Sequence, residues 1–226
     1  MPLKMRILIT LLIGDLAFVG LPLVSWGVTD LRGFTAVPAR WIYVVLVLVL
    51  NTVAASQMPA AGKPPEQPKT LVRRQRWAVP LLQITTFSLV IAGPWCDRRG
   101  IAVLPDIGAL RLLGPVLYGL GFGLMHWSQV HLGRQFSIQV SLQEGHRLVT
   151  DGPYRFIRHP RYLGITLFGL GLALTFRSWA GLFLAVATLG ILLWRIHDEE
   201  ILLRGAFGDE WDDYVRRSRR LVPLIY

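Results

Sequence analysis

Two short stretches of this 226-residue sequence set polar chemistry beside strongly apolar segments. In RIHDEEILL, residues 195–203, Arg195 and Glu199 stand four apart at the end of an apolar run. On a helix they share one face, where they either form a structural ion pair or grip one polar ligand between them. Ionisable groups at membrane depth are costly, and they usually line a cavity or a polar path. His197 and Glu200 point to other faces. In DGPYRFIRHPRYLG, residues 151–164, Arg155, Arg158, His159 and Arg161 fall within seven positions. Pro160 suits the first turn of a helix, because its missing N–H would have had no partner there. His159 and Tyr162 flank it on nearly the same face. Such a helix start offers free N–H groups and the positive end of a dipole to a carboxylate or phosphate. The same residues also suit a basic anchor at lipid headgroups, where Arg and Tyr are common.

The elements that must position these groups are apolar. The chain is 53% hydrophobic with a mean hydropathy of +0.46, and 17% of its residues are charged. Ordinary soluble domains carry about 25% charged residues, so the composition indicates a membrane protein. Apolar segments run at roughly 6–26, 40–58, 77–95, 107–131, 160–176 and 179–196. Most approach the ~20 residues that a helix needs to cross the hydrocarbon. The fifth is short. Gly164, Gly169 and Gly171 on it, and only Arg177-Ser178 before the sixth, make the pair a tight helical hairpin with close backbone approach. Asp15 inside the first segment favours a retained helix over a cleaved leader. Gly14, Asp15 and Thr10 mark a polar spot on it that the sequence does not explain.

Net charge is +10 and the pI about 10.6. With the N-terminus inside, 18 of the 24 Lys and Arg residues fall in inside connections, which fits the positive-inside rule and sets both termini in the cytoplasm. Positive charge distributed this way serves anionic lipid, not nucleic acid. The single cysteine, Cys96, allows no internal disulfide, and no histidine spacing suits zinc, so no metal is assigned.

Two cytoplasmic connections differ in kind. Residues 59–76 are proline-rich and basic, a stiff linker at the lipid surface and not a site. Residues 132–159 contain FSIQVSLQ, whose alternation of apolar and polar residues predicts an extended, half-buried segment. The tail from 197 to 217 reads as an amphipathic helix with Gly205 and Gly208 as candidate breaks, able to fold over that loop. GLGFG at 119–123 mimics a nucleotide-binding turn, but it has no preceding strand and lies within a transmembrane helix. Those glycines serve helix packing.

Taken in order, HRLVTDGPYRFIRHPRYLG and then R-x-x-x-EE-x-x-L-x-x-x-FG-x-x-W-x-x-Y with a final basic-Leu-Val-Pro resemble one family. They are similar to the integral-membrane methyltransferases typified by isoprenylcysteine carboxyl methyltransferase, which also include phospholipid N-methyltransferases. The resemblance spans roughly residues 131–226. It implies an all-α integral membrane protein of five to six transmembrane helices: residues 1–131 hold about four of them. Residues 132–226 form the catalytic region, with the hairpin at 160–196 and a cytoplasmic C-terminal helix. The 132–159 loop and that helix would bind S-adenosylmethionine. Carried over by motif position, its contacts would be Gln139, His146, Arg147, Leu148, Val149, Tyr154, His159, Pro160, Arg161, Tyr162 and Glu199, and Arg195 would orient the acceptor. That acceptor would be a lipophilic small molecule or lipid entering from the bilayer, as a carboxylate, with a phospholipid amine or a small thiol as the alternative. The compact, alanine- and arginine-rich chain points to a prokaryotic cell membrane. A lipid-binding scaffold without enzymatic activity is the remaining alternative.

Overall fold

The computed structural model describes residues 3–56, 70–71, 73–133, 141–142 and 147–222. Helix α1 (Leu3–Asp15) passes through a π-helical turn, Leu16–Gly20, into α2 (Leu21–Trp26). A short α3 (Leu31–Thr35) then leads to α4 (Pro38–Ser56), α5 (Ala78–Arg99), α6 (Gly108–Leu132), α7 (Pro160–Thr175), α8 (Trp179–Phe207) and α9 (Asp209–Arg217). Among the described residues, five helical stretches are long and apolar enough to cross a membrane: Lys4–Trp26, Pro38–Ser56, Gln75–Arg99, Gly108–Leu132 and Trp179–Phe207. The all-α membrane architecture expected from the sequence is therefore present, with α7, at 16 residues, as the short sixth helix.

Two strands of two residues each supplement it: β1 (Thr70–Leu71) pairs antiparallel with β2 (Ser141–Leu142), Thr70 opposite Leu142. The pairing ties the proline-rich connection to the loop after α6. The rest of the predicted extended segment at 136–143 lies outside the described residues.

Local signals explain most helix limits. Ser178 caps α8 by accepting from Gly181 N at 3.0 Å, and Asp30 caps α3 through Gly33 N. Of the two candidate breaks in the tail, Gly208 ends α8 with φ +52°, a conformation costly for other residues, whereas Gly205 stays within the helix. At its start, α7 has Pro160 as its first residue.

Packing of α7 against α6 is set by glycines seven residues apart on each helix. A Cβ on Gly121 would lie 2.5 Å from Gly164 O and from Phe168 N, and one on Gly164 would lie 2.7 Å from Gly121 O. Gly171 meets Gly114 O in the same way, at 2.6 Å, so the two backbones touch along the crossing. Gly121→Ala should therefore force the helices apart and lower stability by about 1–3 kcal/mol. Gly123→Ala, with nothing within 4 Å, should leave the melting temperature in detergent unchanged. Equal melting of both variants would refute the close crossing.

The core beside this seam is aromatic, with Tyr43 and Tyr118 edge-to-face at 5.0 Å and Tyr118 against Phe168 at 4.5 Å. The Tyr43 hydroxyl donates to Phe18 O, which belongs to the π-helical turn. Asn51 Nδ2 donates to Asp15 Oδ1 at 2.8 Å, which accounts for the polar spot on α1: the carboxylate has an amide partner on α4.

The two ends of the bundle carry different charge clusters. Where α4 and α6 begin and α5 and α7 finish, Asp97 is fully buried among Arg40, Arg111 and Arg177, at 2.8, 2.8 and 2.7 Å. At the other end, α8 outlasts the bilayer. Its 29 residues rise about 44 Å against ~30 Å of hydrocarbon, so Arg195 to Glu200 lie at the boundary.

Candidate active site

At that boundary α7 starts beside the stem of α8, and the spacing read from the sequence becomes a connected polar chain. Arg195 Nε donates to the Tyr162 hydroxyl at 3.2 Å, and that hydroxyl donates to Glu199 Oε2 at 2.7 Å. The guanidinium and the carboxylate thus meet through a phenol on the neighbouring helix. The His159 ring stacks on Tyr162 at 5.5 Å with an interplanar angle of 3°. Its Nδ1 lies 4.0 Å from Glu199 and its Nε2 3.3 Å from Glu200. Arg195 and His159 are both buried. Arg161 lies within Coulombic reach of Tyr154, Tyr162, Arg195 and Glu199.

The consecutive glutamates have opposite environments. Glu200 receives Arg158 Nε at 2.9 Å and Arg220 Nη2 at 2.6 Å in addition to His159, and its side chain is 12% exposed. Glu199 has one close donor, Tyr162, and is 32% exposed. Among the described residues Glu199 Oε1 accepts no hydrogen bond, so it has capacity for an external cation.

Tyr154, in the 3₁₀ turn Gly152–Arg155, is buried, and its carbonyl accepts from the Tyr214 hydroxyl of α9 at 2.7 Å. Burial, and secondarily the Glu199 carboxylate, pushes the Tyr154 phenol well above its usual range, so it is neutral at every physiological pH. Burial does the same to Tyr214. In the segment leading to this turn Arg147 is exposed and Leu148 and Val149 are half-buried, while Gln139 and His146 lie outside the described residues.

Just before the first turn of α7, Arg158 N and His159 N donate to the carbonyls of Arg219 and Arg220 at 2.7 and 3.1 Å, so these two groups are used within the protein. The Arg158 side chain is held by Glu200. At the end of the proline-rich connection, Gln75 is buried and donates to Asp198 of α8. Gln75 and the Glu200 cluster escaped the sequence reading, since the partners are 20 to 123 residues apart and no local pattern links them. The tail, read as able to fold over the loop, contacts it: the Tyr214 hydroxyl donates to Tyr154 O, and just beyond it Ile157 and Arg219 form a parallel bridge.

A sequence profile of the phospholipid methyltransferase family matches residues 109–210, which include α6, α7 and α8. Protein-S-isoprenylcysteine O-methyltransferase B of Arabidopsis thaliana is 30% identical over 158 residues, 63% of this chain and 80% of that protein. The chain belongs to the isoprenylcysteine carboxyl methyltransferase family. The probable protein-S-isoprenylcysteine O-methyltransferase of Oryza sativa subsp. indica is 28% identical over 161 residues, covering 82% of its length. Against the Schizosaccharomyces pombe protein-S-isoprenylcysteine O-methyltransferase the identity is 34% over 113 residues, and the chain spans 46% of that relative. As a member of this enzyme family the chain is an integral-membrane methyltransferase, and membership implies S-adenosylmethionine as methyl donor. The polar chain through Arg195, Tyr162 and Glu199 lies within the matched region of this methyltransferase.

Proposed function

We propose that this methyltransferase uses S-adenosylmethionine to methylate a carboxylate on a lipophilic acceptor that reaches the site from the bilayer. The observation that carries the reading is the Arg195–Tyr162–Glu199 chain at the hydrocarbon boundary, with Glu199 open for a cation beside a saturated Glu200. The names of the relatives support a carboxyl acceptor.

Glu199 suits the methionine ammonium, since its exposed oxygen can accept a charge-assisted bond. Arg161 supplies positive charge and His159 a ring N–H for the methionine carboxylate, and Tyr154 and Tyr162 supply ring faces for adenine. Gln139, His146, Arg147, Leu148, Val149 and Pro160 complete the set by motif position. Bound S-adenosylmethionine supplies an electrophilic sulfonium methyl group. An ionised acceptor carboxylate is already a nucleophile and needs no general base, so the protein's task is placement. Arg195, buried at the boundary, orients that carboxylate, and Tyr162 holds the guanidinium by accepting from its Nε. Exclusion of water strengthens both electrostatic contacts. The positive-inside distribution supports a cytoplasmic location for both termini and this site.

Calorimetric titration of S-adenosylhomocysteine into detergent-purified protein tests the donor site. Wild type should bind, and Glu199→Ala should bind about 10- to 100-fold more weakly, the cost of one charged hydrogen bond. Absence of binding by folded wild type would overturn the reading. Offering prenylated thioether carboxylates, phospholipid amines and thiols side by side then separates O- from N- and S-methylation.

A further inference from the structure

The end of the described chain closes on the site through contacts that the methyl-transfer reading leaves unused. Arg219 N donates to Phe156 O at 3.0 Å, Arg158 N to Arg219 O at 2.7 Å and His159 N to Arg220 O at 3.1 Å. Residues 218–221 therefore lie as a parallel strip along residues 156–159, immediately before α7. Its two ends, Ser218 and Leu221, are buried. Arg158 ties the two by donating to Ser218 O at 2.8 Å. One carboxylate joins all these parts: Glu200 meets Arg158 from the pre-helix segment, Arg220 from the strip and His159 from the start of α7.

A single anion gathering three basic side chains is a joint that fails when its charge is removed, because two arginines and a histidine would then face each other with no negative charge between them. The failure would pass to the site by a short path. His159 is held from one side by the strip's carbonyl and from the other by Glu200, and its ring lies flat against Tyr162, which places Glu199 and Arg195.

We propose that residues 218–221 are a strap that sets the position of His159 and Tyr162, and that Glu200 is its positioning residue, so that docking of the strap controls affinity for the methyl donor. This rests on the donor reading above. The role of Glu200 is distinct from that of Glu199: it touches neither donor nor acceptor and acts through the residues that do.

Glu200→Gln preserves the size of the side chain and removes its charge. Glu200→Gln and Arg220→Ala should each raise KM for S-adenosylmethionine and Kd for S-adenosylhomocysteine by about 10-fold, the loss expected for charged hydrogen bonds, with kcat within about 3-fold of wild type. The double variant should be no weaker than the weaker single one, because both changes break the same joint. Limited trypsin digestion supplies a readout independent of the donor: release of the peptide after Arg219 or Arg220 should be faster in Glu200→Gln than in wild type. Unchanged proteolysis and unchanged binding would overturn the strap, as would a loss of kcat at unaltered KM or additive losses in the double variant. If folded wild type binds no S-adenosylhomocysteine, the donor reading falls, and digestion still decides whether Glu200 holds the strap.

Discussion

Asp97→Asn should remove most of the folded protein from a detergent extract, read as loss of the monodisperse peak in size-exclusion chromatography. Asp97 is fully buried, and its two oxygens receive Arg40, Arg111 and Arg177. Arg40 is itself committed, donating to Gly33 O at 2.9 Å and lying 3.9 Å over the Trp26 ring. One carboxylate thus joins α4, α5, α6 and the α7–α8 turn, and through Arg40 it reaches α2 and α3. Neutralising it leaves three buried or half-buried guanidinium groups beside each other, and breaking a buried ion pair in this way costs about 3–5 kcal/mol. That is comparable to the whole stability of many domains, about 5–15 kcal/mol. Asp106, 54% exposed, touches two of the same arginines from the rim, so Asp106→Asn should cost under ~1 kcal/mol. Wild-type yield and melting for Asp97→Asn would show that the cluster is not the staple described.

Arg195→Ala should lower kcat/KM for the acceptor by about 100- to 1000-fold, the usual effect of removing a preorganised charged donor. Affinity for S-adenosylhomocysteine should change by less than about 3-fold, since Glu199 and the ring faces remain. Arg195→Lys should not restore the rate: a lysine ammonium lacks the planar fork that can bond Tyr162 through Nε and present its other nitrogens to a carboxylate. Because Arg195 is 4% exposed, melting must be measured alongside, and a variant that melts like wild type yet is inactive assigns the arginine to the reaction. Full activity in Arg195→Ala would remove the acceptor role proposed for it. Tyr162→Phe, which breaks the link on both sides, is the intermediate case.

Sequence spacing revealed the site only in part. Arg195 and Glu199 are one helical turn apart, and Pro160 starts its helix, because both facts depend on three or four neighbouring residues. Their bridge, Tyr162, lies 33 and 37 residues away on another helix, and only the α7–α8 contact brings it there. Glu200 looked like a residue facing elsewhere on α8. It shares the His159 ring with Glu199, and it also holds Arg158 and Arg220, 42 and 20 residues distant. Arg40 and Arg177 stand at the ends of apolar runs in the sequence, yet both converge on Asp97, 57 and 80 residues away.

By itself, the sequence determined what short-range physics can encode: apolar runs long enough to span, a short glycine-rich helix, the helix starts and stops, and the two ordered motifs that mark the family. Tertiary structure decided which charges meet, which of several glycines touch and which N–H groups just before α7 are already used by the tail. The reason is the reach of the forces involved. Periodicity and capping act within one turn of helix, whereas a buried ion cluster or a backbone crossing between α6 and α7 depends on how all the helices pack.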